Sequence, residues 1–131
     1  MFLQIMNTDE KAKFLEFVYK VASIDGDFAE EEQEIINSYK NELGLYEISD
    51  TSDIDGLIAF FSTKSNVLKK MVLFETIGLI NADDKIEKEE EVILKKMTGS
   101  FGLDIEVVNR IDSVAKKMQE VYDEVYDALF D

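Results

Sequence analysis

Residues 71–103, MVLFETIGLINADDKIEKEEEVILKKMTGSFGL, decide the fold. From Met71 to Ile80 the stretch is apolar on nearly every side of a helix, which predicts a buried central helix. An acidic turn comes next, and the apolar spacing then predicts a second helix. That helix ends at Gly102, because glycine directly after a periodic apolar segment is a typical helix stop. The stretch therefore predicts a helical hairpin with an acidic turn.

The same pattern occurs once more, 58 positions earlier and without a gap. The aligned positions hold identical residues in the helices, the turns and the helix ends: Leu15 with Leu73, Asp25 with Asp83, Glu32 with Glu90, and Gly44 with Gly102. Self-similarity of this kind indicates an internal repeat, here over about 11–45 and 69–103. Two such hairpins packed face to face predict a bundle with two pseudo-symmetric halves.

Helical spacing of apolar residues extends over almost the whole chain, and no stretch shows the alternation of a strand. We predict an all-α fold of about six helices, forming a single domain over residues 1–131. Thr8, Ser52 and Asp104 are the predicted N-caps of the first, third and last helices. The predicted helices cover about 8–24, 30–43, 52–61, 64–82, 88–101 and 105–130.

Composition excludes several function classes. The chain has 29 acidic and 14 basic residues, a net charge of −15, and no His or Cys. Catalytic sites that need a histidine or a cysteine, zinc sites built from them, and disulfides are therefore excluded, and no enzyme chemistry is expected. The negative charge disfavours nucleic acid and anionic membranes as partners. No apolar run is long enough to insert in a membrane, and the N-terminus lacks the features of a signal peptide, so we expect a cytoplasmic location.

The two acidic turns are the candidate functional site. Each begins with an Asp and has a Glu seven residues later, a spacing that matches the second half of an EF-hand loop. A true EF-hand is excluded because Val21 and Leu79 stand where the leading carboxylate belongs. If the turns bind a divalent cation, its ligands are oxygens, which suits Ca²⁺, Mg²⁺ or Mn²⁺. The candidate ligands are Asp25, Asp27, Glu32, Asp83, Asp84 and Glu90.

A second interpretation of the turns needs no metal. Glu32 and Glu90 each lie one helical turn before an inward-facing apolar residue, so both carboxylates are predicted to point inward. Burying an unpaired charge is costly, and something must satisfy it. A cation would do so, and so would backbone N–H groups at the helix N-terminus. In the second case the chain is a metal-independent protein–protein adaptor, and both readings stay open.

The duplicated motif resembles the TerB-like superfamily, which includes tellurite-resistance and J-domain co-chaperone proteins. The resemblance covers roughly residues 14–103. The first copy of the motif matches at Asp25, Gly26 and Glu32, whereas the second has Asp84 in place of the glycine. Membership implies an all-helical fold with two related halves, a divalent-cation site made by the motif acids, and a role in stress-response or membrane-associated complexes.

The last helix ends in a dense apolar segment. Its large apolar residues are Tyr122, Val125, Tyr126, Leu129 and Phe130. The simplest interpretation packs them in the core against the first helix. The alternative makes them the surface for a protein partner or for a homodimer.

Overall fold

The computed structural model describes residues 2–24, 26, 30–83 and 88–131. Within them the fold is all-α, as predicted, and consists of six α-helices and two short 3₁₀ turns, Leu3–Ile5 and Asn81–Asp83. The helices are α1 (Thr8–Ala22), α2 (Glu30–Leu43), α3 (Ile54–Ser62), α4 (Asn66–Ile80), α5 (Lys88–Phe101) and α6 (Ile105–Phe130). None of the helices in this described part has the length and apolarity that a membrane crossing requires.

Two predicted N-caps lie one residue from the observed ones. The cap of α1 is Asn7, whose Oδ1 accepts from Glu10 N–H at 2.8 Å, while Glu10 Oε1 accepts from Asn7 N–H at 2.9 Å. This reciprocal pair is a capping box, which Thr8 does not form. The cap of α3 is Asp53, which accepts from Gly56 N–H at 2.8 Å, and Ser52 precedes it. Asn and Asp are at least as effective as Thr and Ser in this position.

Helix α4 is the centre of the bundle, as predicted. It contacts α1, α3, α5 and α6, and most of its apolar side chains are buried. Helix α1 packs on α2, α3 and α4, and its predicted inward face is buried in full: Phe14, Phe17, Val18, Val21 and Ala22. Aromatic rings bridge the helices, with Phe14 edge-on to Tyr39 at 5.2 Å and Phe17 near Phe61 at 6.5 Å between centroids.

The repeat is visible in burial and in backbone conformation. Leu15 and Leu73 are both buried, and so are Glu32 and Glu90. Gly44 and Gly102 follow the ends of α2 and α5 with φ of 69° and 62°, in the left-handed region that favours glycine. The helix pairs α1–α2 and α4–α5 each pack together, and α1 packs on α4. The two hairpins therefore share one core.

Candidate functional site

The acidic turns connect α1 to α2 and α4 to α5. Glu32 and Glu90 lie in the first turns of α2 and α5, and each is only 4% exposed. The prediction that both carboxylates point inward is confirmed. Both glutamates stand near the positive N-terminal end of a helix, a favourable place for a negative charge.

The other four candidate ligands cannot be placed beside them. Asp25, Asp27 and Asp84 lie outside the described residues. Asp83 ends the second 3₁₀ turn, and its side chain is likewise outside what the structure describes. Among the side chains that are described, there is no group of three or more acids close enough to hold a metal ion. The metal-site prediction therefore stays a prediction.

Gly26 is the described residue within the first acidic turn. Its φ is 83°, in the region that residues with a Cβ rarely adopt, and its N–H donates to Ser23 O at 3.1 Å. The hydrogen bond between Gly26 and Ser23 thus closes a turn directly after the end of α1. The second turn has Asp84 at the equivalent position, which lies outside the described residues.

The interpretation of the C-terminal apolar residues as core is wrong. In α6, all of whose residues are described, Ala115 alone is buried, and every residue from 116 to 131 is exposed. Helix α6 packs on α4 through its first half, and its apolar face then continues past the residues that α4 covers. We call this exposed surface the α6 apolar face. Its members are 38–71% exposed: Val114, Met118, Val121, Tyr122, Val125 and Leu129.

Two grooves border α6. One, of about 670 Å³, lies between α2, α4 and α6, and Tyr39, Phe74, Met118 and Tyr122 are in its walls. The other, of about 310 Å³, lies between α4 and α6, and its walls combine two cations with apolar side chains: Lys70, Arg110, Phe74, Val107, Ile111 and Val114. Both grooves adjoin the α6 apolar face, because Met118 and Tyr122 belong to the first groove and Val114 to the second.

In the first groove, Tyr39 and Glu75 form a polar pair. The Tyr39 hydroxyl donates to Oε2 of Glu75 at 2.8 Å. Burial raises the pKa of Tyr39 well above its usual value, and the neighbouring Glu75 carboxylate raises it further. The tyrosine is therefore a neutral hydrogen-bond donor at physiological pH, and it holds Glu75 in place on α4.

Sequence reasoning missed a buried carboxylate in α1. Glu16 is fully buried, and its Oε2 accepts from Thr51 N–H and Ser52 N–H, each at 2.9 Å. Its Oε1 accepts from the Thr51 hydroxyl at 2.9 Å, and Lys20 Nζ lies 3.5 Å from Oε2. Lys20 also donates to Asp50 at 2.7 Å and to Ser52 O. The loop before α3 is thus fastened to α1 through the Glu16 carboxylate and the Lys20 ammonium.

The electrostatics of Glu16 follow from these contacts. Burial raises its pKa, but the donors from Ser52 and Thr51, together with the Lys20 ammonium, lower it by more. The pKa of Glu16 is therefore below its usual value, and the residue is ionised in the folded protein. The hydrogen-bond donors around Glu16 belong to the loop before α3 and to α1 itself. We therefore assign this carboxylate a structural role.

Comparison with known proteins found no match. No protein-family model matches the chain, and no curated protein or solved structure matches it either. The similarity to the TerB-like superfamily therefore rests on the duplicated motif alone, and it stays a prediction.

Proposed function

We propose that this chain is a non-enzymatic protein-interaction module that binds its partner through the α6 apolar face. The proposal rests on the exposure of that face. It belongs to an unbroken helix whose first part packs on the bundle. Water-exposed apolar surface is costly, and a contiguous patch of it marks an interaction site in folded proteins. The side chains involved are the large apolar types that supply most of the binding energy in interfaces.

The cellular system and location that we propose for this function are based on the sequence. The TerB-like resemblance adds a stress-response system, and a cytoplasmic location is part of the same proposal. The net charge of −15 directs the choice of partner away from nucleic acid and towards protein.

Binding through the α6 apolar face predicts a selective effect of charge at its centre. Val121→Glu places a charge among apolar neighbours on a 55% exposed position, so folding is unaffected while partner binding weakens at least about tenfold. Val67→Glu is the matched control, because Val67 is 62% exposed on α4 and lies outside the face. Immobilised chain captures partners from an extract of its source cells, and each identified protein is then purified and titrated against the three chains. Equal affinities for Val121→Glu and wild type, or no partner other than non-specific ones, contradict the proposal.

A second candidate function is divalent-cation binding by the acidic turns. Its support is the burial of Glu32 and Glu90 at equivalent positions, together with a donor set made only of carboxylate oxygens. Hard cations such as Ca²⁺, Mg²⁺ and Mn²⁺ prefer these ligands. When bound, the cation would offset part of the negative charge of the acidic turns.

Cation binding predicts a thermal shift. A cation that binds only the folded chain stabilises it by about 2.7 kcal/mol at a concentration one hundred times its Kd. Melting is followed in EDTA and then in millimolar Ca²⁺, Mg²⁺, Mn²⁺ and Zn²⁺. Asp25→Ala and Asp83→Ala remove the shift, while Glu47→Ala, a change of an exposed acid outside the turns, retains it. A melting temperature that no cation moves rules out this second candidate.

A further inference from the structure

The apolar residues of α6 follow a heptad pattern. Steps of three and four residues alternate through Ile111, Val114, Met118, Val121, Val125 and Ala128. This spacing produces a straight seam along a helix and is the pattern by which two helices pack together in a coiled coil. Ala115 and Tyr122 lie beside the seam on the side of α2 and α4, where they line the larger groove. On its opposite side the seam is open from Val114 onward, where a surface depression is lined by α6 residues alone.

Charged residues line that open side at intervals of seven. They are Arg110, Lys117, Glu124 and Asp131, and their sign changes from positive to negative halfway along the helix. Lys117 borders the same apolar depression as Val114 and Val121, and Arg110 borders the smaller groove. In a heptad these positions flank the seam, where charges select the partner and its direction. This row of charges is therefore complementary to the same row on a second α6 helix that runs in the opposite direction.

We infer that the partner of the α6 apolar face is a second copy of this chain, with the two α6 helices antiparallel. The inference rests on the proposed function of that face. In this arrangement Lys117 faces the partner's Glu124, and Arg110 faces the partner's Asp131. Two-fold symmetry makes each of these pairs occur twice.

The same register aligns the apolar seam. Met118 packs on the partner's Val121, and Val114 packs on the partner's Val125. Ile111 contacts the partner's Ala128. The small alanine side chain suits this position, because here α6 already packs on α4. Apolar layers and charge pairs thus require one and the same register.

A parallel pair is disfavoured by charge. It would bring the two acidic helix ends together, with Asp123, Glu124, Asp127 and Asp131 of each copy side by side. Like charges in close proximity are destabilising, and the basic residues near 110–117 would be too far away to compensate. The antiparallel arrangement places each acidic end beside a basic one.

The smaller groove receives the end of the partner helix. In the antiparallel register, the partner's last turn reaches Arg110 and therefore the groove between α4 and α6. That groove is lined by the cations Lys70 and Arg110 together with apolar residues such as Phe74 and Val114. The C-terminal residues Asp127-Ala128-Leu129-Phe130-Asp131 have the complementary composition of two acids around an apolar centre. The interface thereby extends from the helix pair onto the bundle.

Sedimentation equilibrium of the purified full chain tests the self-association. From micromolar to near-millimolar concentration, the wild type is expected to shift from monomer to dimer. Val121→Glu raises the dissociation constant at least about tenfold, and Val67→Glu leaves it unchanged. A wild type that stays monomeric overturns the inference. If that monomer still binds another protein through the α6 apolar face, the proposed function stands, and if it binds nothing, both fail.

A charge swap tests the register. Lys117→Glu and Glu124→Lys each replace two attractive pairs by two repulsive ones, so each raises the dissociation constant several-fold. The double variant restores opposite charges and the wild-type net charge, and it is expected to return the dissociation constant to that of the wild type. A double variant as weak as the sum of its parts overturns the antiparallel register.

Cross-linking reports the direction of the helices. The chain has no cysteine, so introduced thiols are unique. A mixture of the Met118→Cys and Val121→Cys chains is expected to form a disulfide-linked heterodimer on mild oxidation, because these positions face each other in the antiparallel pair. Leu129→Cys alone is expected to remain uncross-linked, because the two helix ends lie far apart. Efficient cross-linking of Leu129→Cys to itself means a parallel pair and overturns the inference.

Discussion

Glu16→Gln is expected to lower the free energy of unfolding at pH 7 by about 3 kcal/mol. The ionised carboxylate accepts from two backbone N–H groups and a hydroxyl, with Lys20 close by. The glutamine side chain has the same shape as glutamate but carries no charge. Its NH₂ group needs hydrogen-bond acceptors, whereas the groups around this position are donors. Chemical denaturation of both chains measures the difference, which corresponds to a drop in melting temperature of roughly 10 °C.

The same substitution changes the dependence of stability on pH. The pKa of Glu16 is lower in the folded than in the unfolded chain, so its contribution is present above about pH 4.3, the unfolded value. The contribution is lost as the pH falls through the folded pKa. The difference between wild type and Glu16→Gln is therefore expected to shrink as the pH falls below the unfolded value. Glu47→Gln, in the same loop but exposed, is the control and is expected to follow the wild type at every pH. A constant difference down to pH 2 contradicts the assignment.

The sequence contains a signal for the buried position of Glu16. Glu16 lies between Leu15 and Phe17 on the inward face of α1, and the repeat aligns it with Phe74. A charge on an inward face, opposite an apolar residue in the other half, marks a place where the two halves differ. The difference has a structural cause, because the first half must anchor the loop before α3. That loop and α3 have no counterpart within the repeat, so its contacts could not be predicted from the repeat.

Helices were predictable because their signals are local. Apolar spacing and the glycines at 44 and 102 are sufficient to locate the C-terminal ends of α2 and α5 to the residue. The exposure of α6 could not be predicted from such local signals. An apolar stripe has the same sequence pattern whether it packs in the core or on another chain, so periodicity predicted the unbroken helix but not its exposure. Its edge charges did contain information about a partner, but only once the helix was known to be open on that side.

The acidic turns illustrate the opposite case. The inward direction of Glu32 and Glu90 follows from their place one turn before buried residues, and it is confirmed. Whether Asp25 and Asp83 approach those carboxylates depends on the conformation of two short connections. The sequence pattern is the same whether a cation or backbone N–H groups satisfy the buried carboxylate. Melting with and without divalent cations separates the two interpretations.

Leu73→Ala is expected to lower the free energy of unfolding by about 3–4 kcal/mol, and Leu15→Ala by a similar amount. Both leucines are fully buried, one in each half of the repeat, on helices that pack on each other. Each truncation removes apolar contacts and leaves a cavity that a close-packed helical interface fills only in part. Urea denaturation followed by circular dichroism measures both variants against the wild type.

The control for this pair is Val92→Ala, because Val92 is exposed on α5 and its truncation leaves no cavity. Similar losses for the two leucines, with a single unfolding transition in each case, mean that the two hairpins unfold as one unit. A large loss for one leucine and almost none for the other would mean that one hairpin contributes little to the stability of the folded chain. In that case the repeat would be a similarity of sequence without an energetic counterpart. Since α1 packs directly on α4, the shared core leads us to expect equal losses and a single transition.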